Sequence, residues 1–385
     1  MSVQTVPEIS PLDFFRELEA GETVQVVDVR SPERVAAGSI DAVPRGRFHN
    51  VAGSILTGVS GLAGSGIDPA IPAVVVCGHG NDSKICAAYL NRMGVSARSL
   101  TGGMASWMML SVPRPLPAPP GLDRLIQFDR VGKGALGYLL ISSGEAMIID
   151  PPRDPGPYLD LAEESGGRLV AVADTHVHAD YISGAPSLAR ARGVPYYLHP
   201  ADNVYPYDDS PGCLDIRPLH DGMSIPLGRC AVGVVHTPGH SPGSVTFRIG
   251  NNAAFTGDFL FVASVGRPDI ADRTEEWSSL LWMSIQSVRN EWPPDLVVYP
   301  AHYSSGRERV NGGAVCARFG DVCSRNPSLR IADKAGFMNW IRENEAGVPG
   351  SYRTIKGINV GLLTAGERES EELESGKNEC ALGGI

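Results

Sequence analysis

Long apolar runs are absent from this 385-residue chain. No stretch reaches the roughly 18–20 residues that a helix needs to cross a bilayer, so no membrane span is expected. The N-terminal MSVQTVPEISPLDFF lacks a basic segment followed by an apolar core, so no secretory signal is expected. An excess of positive charge is missing as well: 33 Lys and Arg face 43 Asp and Glu, for a net charge of -10. That balance argues against nucleic acid and against an anionic membrane surface as partners. The seven cysteines are scattered, odd in number and form no C-x-x-C pair. They read as reduced thiols of a cytoplasmic protein, not as a disulfide framework. Internal repeats are also missing.

What is present is core material. Apolar residues make up 43% and charged residues 20% of a chain long enough for two domains. The expected boundary is SVPRPLPAPPG, residues 111–121, whose five prolines read as a semi-rigid linker. Residues 1–110 alternate helix and strand signals and read as a small α/β domain with an open, largely parallel sheet. Ser10-Pro11 opens its first helix as N-cap and first helical residue. Residues 122–325 are strand-rich, with hairpins at Ser142-Ser143-Gly144 and Gly250-Asn251-Asn252. Trp277, Leu281, Ile285, Val288 and Trp292 recur at helical spacing. The pattern predicts two packed sheets with helices outside. Residues 326–385 read as a helical extension with a polar tail.

Chemistry gathers at strand ends. His176 follows LVAVAD, His240 follows CAVGVVH, Asp258 follows AAFTG and His302 follows DLVVYP. A single loop histidine carries little weight, but four strands each delivering an ionisable residue past their C-terminal ends predict a metal site. In THVHADY, His178 and Asp180 accompany His176. Tyr181 then stands next to Asp180, and a neutral phenol is a poor ligand for a divalent ion.

In the first domain, Cys77 ends the strand AVVVC. The loop Cys77-Gly78-His79-Gly80-Asn81-Asp82 leads into a helix expected to begin near Ser83. Gly78 and Gly80 free the backbone so that successive N–H groups can surround the sulfur, and the helix N-terminus adds positive potential. Cys77 is therefore expected to be an acidic, nucleophilic thiol. The same nest suits a bound anion.

THVHAD, TPGH, TGD and PAH, in that order, resemble the metallo-β-lactamase fold family over residues 122–325. Thr256-Gly257-Asp258 followed by Gly266-Arg267-Pro268-Asp269 looks like its persulfide dioxygenase branch, close also to glyoxalase II. Residues 6–110 resemble the rhodanese (thiosulfate sulfurtransferase) family through Asp28-Val29-Arg30, the Cys77–Asp82 loop and Leu100-Thr101-Gly102-Gly103 with Trp107. The expected class is thus an α/β chain, a small rhodanese domain followed by an αββα metallo-β-lactamase sandwich.

The resemblance implies one Fe(II) per chain on His176, His240 and Asp258, a two-histidine, one-carboxylate set. It implies oxidation of glutathione persulfide, or a similar thiol persulfide, by O2 to sulfite. By it His178, Asp180 and His302 are supports or a weak second metal position; Tyr181 either hydrogen-bonds to a group held on the ion or is a buried aromatic packed under the loop. Arg267 is a candidate for the anionic end of a thiol substrate, or else a partner of Asp269. Cys77 would carry a persulfide, with sulfite or thiosulfate as sulfur partners. Two departures from the rhodanese pattern are RVAAGSIDAVPRGRFHN after Glu33 and an acid at Asp82. The alternatives are a zinc thioester hydrolase like glyoxalase II with an accessory rhodanese domain, and a non-catalytic sulfur sensor or partner-binding protein. A homo-oligomer is left open.

Overall fold

The computed structural model describes residues 6–40, 42–58, 62, 64–310, 312–345 and 347–382. The chain divides into two compact units. One runs to Val112 and adds Arg130–Lys133 and Ser375–Lys377; the other holds the rest.

The first unit is built on a five-stranded, all-parallel sheet. Its order is Glu8–Ile9, Ala97–Leu100, Ala73–Val76, Gln25–Asp28, Phe48–Asn50. The central strands, QVVD and AVVV, are buried at every position, as expected of parallel strands covered on both faces. The helix Pro11–Glu19 starts as its sequence says: Ser10 Oγ accepts from the Asp13 N–H at 3.1 Å.

The second unit is a sandwich. A seven-stranded sheet runs in the order Arg217–Pro218, Tyr196–Leu198, Arg168–Ala173, Glu145–Ile149, Ala135–Ser142, Arg124–Arg130, Ser111–Leu116. A six-stranded sheet runs Ser224–Leu227, Cys230–His236, Val245–Ile249, Ala253–Gly257, Val297–Pro300, Ala317–Arg318. Between them Tyr138, Leu140, Met147 and Ile149 pack on Val232, Val234, Phe247 and Phe255. The helices Gly156–Glu164 and Ala185–Arg192 cover one outer face, through Tyr158, Ala162 and Leu188. The helix Thr274–Glu291 covers the other, and its predicted apolar face is buried from Trp277 through Val288, as is Trp292 just beyond it. Both predicted hairpins are present, pairing Ser142 with Glu145 and Ile249 with Ala253.

One expectation needs correction. The Pro-rich 111–121 segment is not wholly a linker: Ser111–Leu116 is the outermost strand of the seven-stranded sheet. Proline is tolerated there because an edge strand leaves alternate N–H groups without a ladder partner. The C-terminal extension is helical over Lys334–Asn344, Ser351–Asn359 and Glu367–Leu373, and it packs on the sandwich. Leu329, Phe337, Ile341 and Leu382 enter the same cluster as Leu281 and Ile285.

Candidate metal centre and cysteine loop

Four strand ends converge as their sequence implies. His176 lies past Arg168–Ala173, His240 past Cys230–His236, Asp258 directly after Ala253–Gly257, and His302 past Val297–Pro300. All four side chains are buried.

Three of them form one group. His176 Nε2 and His240 Nε2 lie 3.7 and 3.5 Å from Asp258 Oδ2. All three atoms are buried with no hydrogen-bond partner. A buried polar atom left unpaired costs about 1–3 kcal/mol. Three such atoms pointed at one another are explained by an ion among them. Burial pushes the His240 imidazolium down to about 4, and burial plus the neighbouring imidazoles holds His176 well below its usual value. Both rings are therefore neutral, the state a metal requires.

The other ring nitrogens are spoken for. His240 Nδ1–H donates to the Arg267 carbonyl at 2.9 Å. His176 Nδ1–H donates to Thr175 Oγ1 at 3.0 Å, and that hydroxyl donates to Asp150 at 2.9 Å. Bonds of this kind fix the tautomer and leave Nε2 for the ion. Asp202 joins the two histidine loops: its carboxylate accepts from Val177 N–H at 2.7 Å, Ser241 Oγ at 2.8 Å and Gly243 N–H at 2.7 Å. Gly266 packs directly behind the ligands, where a Cβ would lie 1.9 Å from the Asp258 carbonyl and 2.9 Å from His240 Nδ1.

His302 and His178 are placed differently. His302 donates from Nδ1 to Asp258 Oδ1 at 2.7 Å and from Nε2 to Asp180 Oδ2 at 3.1 Å. Burial opposes its charge, yet the two carboxylates hold its pKa up at about 9. His178 groups with Asp150 and Asp174 instead of with His176, His240 and Asp258. Against the pull of burial, Asp150 keeps His178 protonated through a 3.2 Å bond to Nε2. Tyr181 stacks on His178 with centroids 4.2 Å apart, and its hydroxyl lies 2.9 Å from the same nitrogen. The Arg267 guanidinium is buried and forks onto Asp269, with Nε–Oδ1 at 2.7 Å.

Sequence reasoning missed Asp150, Asp202, Lys356, Asn359 and Cys380. Asp150 ends a strand as the ligands do, and that was a usable signal. The others come from distant segments. Lys356 Nζ donates to the Val177 carbonyl at 2.8 Å, and Asn359 donates to the carbonyls of His178 and Tyr181 at 2.9 and 2.8 Å. The helix Ser351–Asn359 thus pins the ligand loop.

In the first unit, Cys77 is buried at the end of Ala73–Val76. The Gly80 N–H donates to its sulfur at 3.1 Å, and Ser83 Oγ lies 3.3 Å from it. The helix opens at Asn81, two residues earlier than expected, because Gly80 takes φ +86° and turns the chain at once. His79, Asn81 and Asp82 are exposed on the rim, while Ser83 is fully buried. Gly103 closes the loop from behind: a Cβ there would lie 2.4 Å from the Cys77 carbonyl.

A sandwich of two sheets with buried histidine and aspartate side chains gathered past its strand ends is the arrangement of a metal-dependent class. The comparisons name it. Residues 132–302 match the metallo-beta-lactamase superfamily and residues 11–110 the rhodanese-like domain. The chain belongs to the metallo-beta-lactamase superfamily and carries an N-terminal rhodanese-like domain. The mitochondrial persulfide dioxygenase ETHE1 of Homo sapiens is 35% identical over 162 residues, 42% of this chain and 59% of that one. The matched part is thus under two thirds of that relative. An uncharacterized protein of Aquifex aeolicus is 30% identical over 186 residues, 44% of this chain and 84% of that one. The metallo-beta-lactamase from Staphylococcus aureus superposes with a TM-score of 0.56 at 27% identity, covering 62% of this chain and 73% of that one.

Proposed function

We propose that this chain is a non-haem ferrous persulfide dioxygenase with a sulfur-carrying rhodanese domain. The carrying observation is the trio of orphaned, buried atoms, His176 Nε2, His240 Nε2 and Asp258 Oδ2. Two imidazoles and one carboxylate are the donor set of oxygen-using ferrous sites. When bound there, Fe(II) would supply the redox chemistry and leave positions for substrate and O2. The overall reaction balances as RSSH + O2 + H2O → RSH + H2SO3, with RSSH glutathione persulfide or a similar thiol persulfide.

The chain's own residues do the rest. Thr175 and the Arg267 carbonyl orient the two imidazoles. His302 holds a proton between Asp258 and Asp180, so the ligand carboxylate stays ionised. Tyr181 stands beside His178 and supplies no histidine for a second ion. Cys77, with the Gly80 N–H and Ser83 around its sulfur, would carry sulfane sulfur to or from a small thiol.

One observation favours the zinc thioester hydrolase instead. His178 Nδ1 is buried without a partner, and it would extend the ligand set once the ring gives up the proton that Asp150 now holds on it. The test is oxygen consumption by ferrous-loaded protein on adding glutathione persulfide, with sulfite as product. No consumption, together with hydrolysis of S-lactoylglutathione by zinc-loaded protein, overturns the proposal.

A further inference from the structure

The strand Ala97–Leu100 pairs with Ala73–Val76, the strand that delivers Cys77, and sets Ser99 opposite Val75. Parallel strands covered on both faces take apolar side chains, yet Ser99 is fully buried. Its Oγ lies 2.8 Å from Ser83 Oγ, and Ser83 Oγ lies 3.3 Å from Cys77 Sγ. Ser83 is fully buried as well. Among the described residues Ser99 Oγ has no other partner, and Ser83 Oγ has only these two. The two hydroxyls form a chain that is closed at Ser99 and ends on the sulfur.

Counting protons gives this chain a direction. Each hydroxyl carries one hydrogen. Ser99 can place its hydrogen only on Ser83, and the Ser83 hydrogen is then directed to Cys77 Sγ. The opposite order, from sulfur to Ser83 to Ser99, leaves the Ser99 hydrogen buried without an acceptor, which is costly. The Gly80 N–H donates to the same sulfur at 3.1 Å. Sγ therefore faces two donors, the setting that favours a sulfur carrying negative charge.

We propose that Ser99 is a positioning residue for Cys77, keeping the Ser83 hydroxyl hydrogen on its sulfur. The inference rests on the sulfur-carrying Cys77 of the proposed function and not on the metal centre. The transfer step is Cys77–S–SH + RS⁻ → Cys77–S⁻ + RSSH. The acceptor thiolate bonds to the outer sulfur, the Sγ–S bond breaks, and its electron pair goes to Sγ. Ser83 and Gly80 stabilise that charge where it arrives, and no proton has to move. In the reverse direction they favour the attacking thiolate. Without Ser99, the Ser83 hydroxyl in the first turn of the helix Asn81–Arg92 can turn to a nearby backbone carbonyl instead.

The test is the pH profile of alkylation by iodoacetamide, read by mass spectrometry on the Cys77 peptide of the full chain. Ser83→Ala removes a hydrogen bond to charged sulfur, so alkylation near neutral pH should slow about tenfold or more, with the profile moved to higher pH. Ser99→Ala should move the profile the same way, with a rate loss of about threefold. Ser99→Thr, which keeps the hydroxyl, should restore the wild-type profile. A Ser99→Ala profile identical to wild type overturns the inference, and so does a Ser99→Thr profile that stays with Ser99→Ala. Should Ser99→Ala not fold, Ser99→Cys, similar in shape and a weaker donor, is read by the same criteria. If the profiles shift as expected but Cys77 passes no sulfur from a persulfide donor to glutathione, the relay stands and the sulfur-carrying role of the proposed function falls.

Discussion

The Tyr181 hydroxyl lies 2.9 Å from His178 Nε2, with the two rings stacked 4.2 Å apart. The phenol is thereby committed to an imidazole that groups with Asp150 and Asp174, not with the orphaned trio. This pairing ties the loop together and withholds a ligand from the Asp180–His302 side.

Replacing the phenol tests that arrangement in both directions. Tyr181→Phe should cost about 1–2 kcal/mol in stability, from loss of the hydroxyl's bonds to His178 Nε2 and to the Asp150 carbonyl, and leave metal content unchanged. Tyr181→His should raise the metal content toward two ions per chain when zinc is in excess. Elemental analysis after gel filtration reads both, and one ion in Tyr181→His would contradict the role given to Tyr181.

Orientation of His176 depends on Thr175. Thr175→Val keeps the shape and removes the hydroxyl that accepts from Nδ1. Metal affinity should fall by about 10–100-fold, the usual effect of losing such a support. Competition with a chelator measures it; an unchanged affinity would show that the hydroxyl does not hold the ring.

Gly266 leaves no room for a side chain. Gly266→Ala would drive a Cβ into the Asp258 carbonyl and against His240 Nδ1. Overpacking of this kind costs about 1–3 kcal/mol, and here the strain falls on two ligands at once. Metal binding should weaken more than folding does, as seen by comparing chelator competition with the urea midpoint of the metal-free protein.

Much of this was legible in the chain, for physical reasons. Ligands at strand ends are local patterns: a strand, a tight turn, then an ionisable residue, as in His240 after Thr237-Pro238-Gly239. The Cys77 loop is local in the same way. Asp202, Lys356 and Cys380 reach the centre through contacts across 25 to 179 residues of sequence or through tail pairing, which leave no periodic trace. The prolines of 113–117 misled because the same residue that breaks a central strand is accepted at a sheet edge.

The two chemistries should separate by substitution. Cys77→Ser should abolish sulfur transfer between a donor and a small thiol while oxygen uptake with preformed glutathione persulfide is unchanged. His240→Ala should do the reverse. Loss of both activities in either variant would show that the two sites do not act independently.

The most direct test prepares metal-free protein, loads it with one equivalent of Fe(II) or of Zn(II) under nitrogen, and assays both samples side by side. Oxygen uptake on adding glutathione persulfide and release of thiol from S-lactoylglutathione are followed in each. Persulfide-dependent oxygen uptake with sulfite formation in the iron sample alone is the expected result. A silent iron sample, with thioester hydrolysis by protein that takes up two zinc ions, would contradict the ferrous dioxygenase.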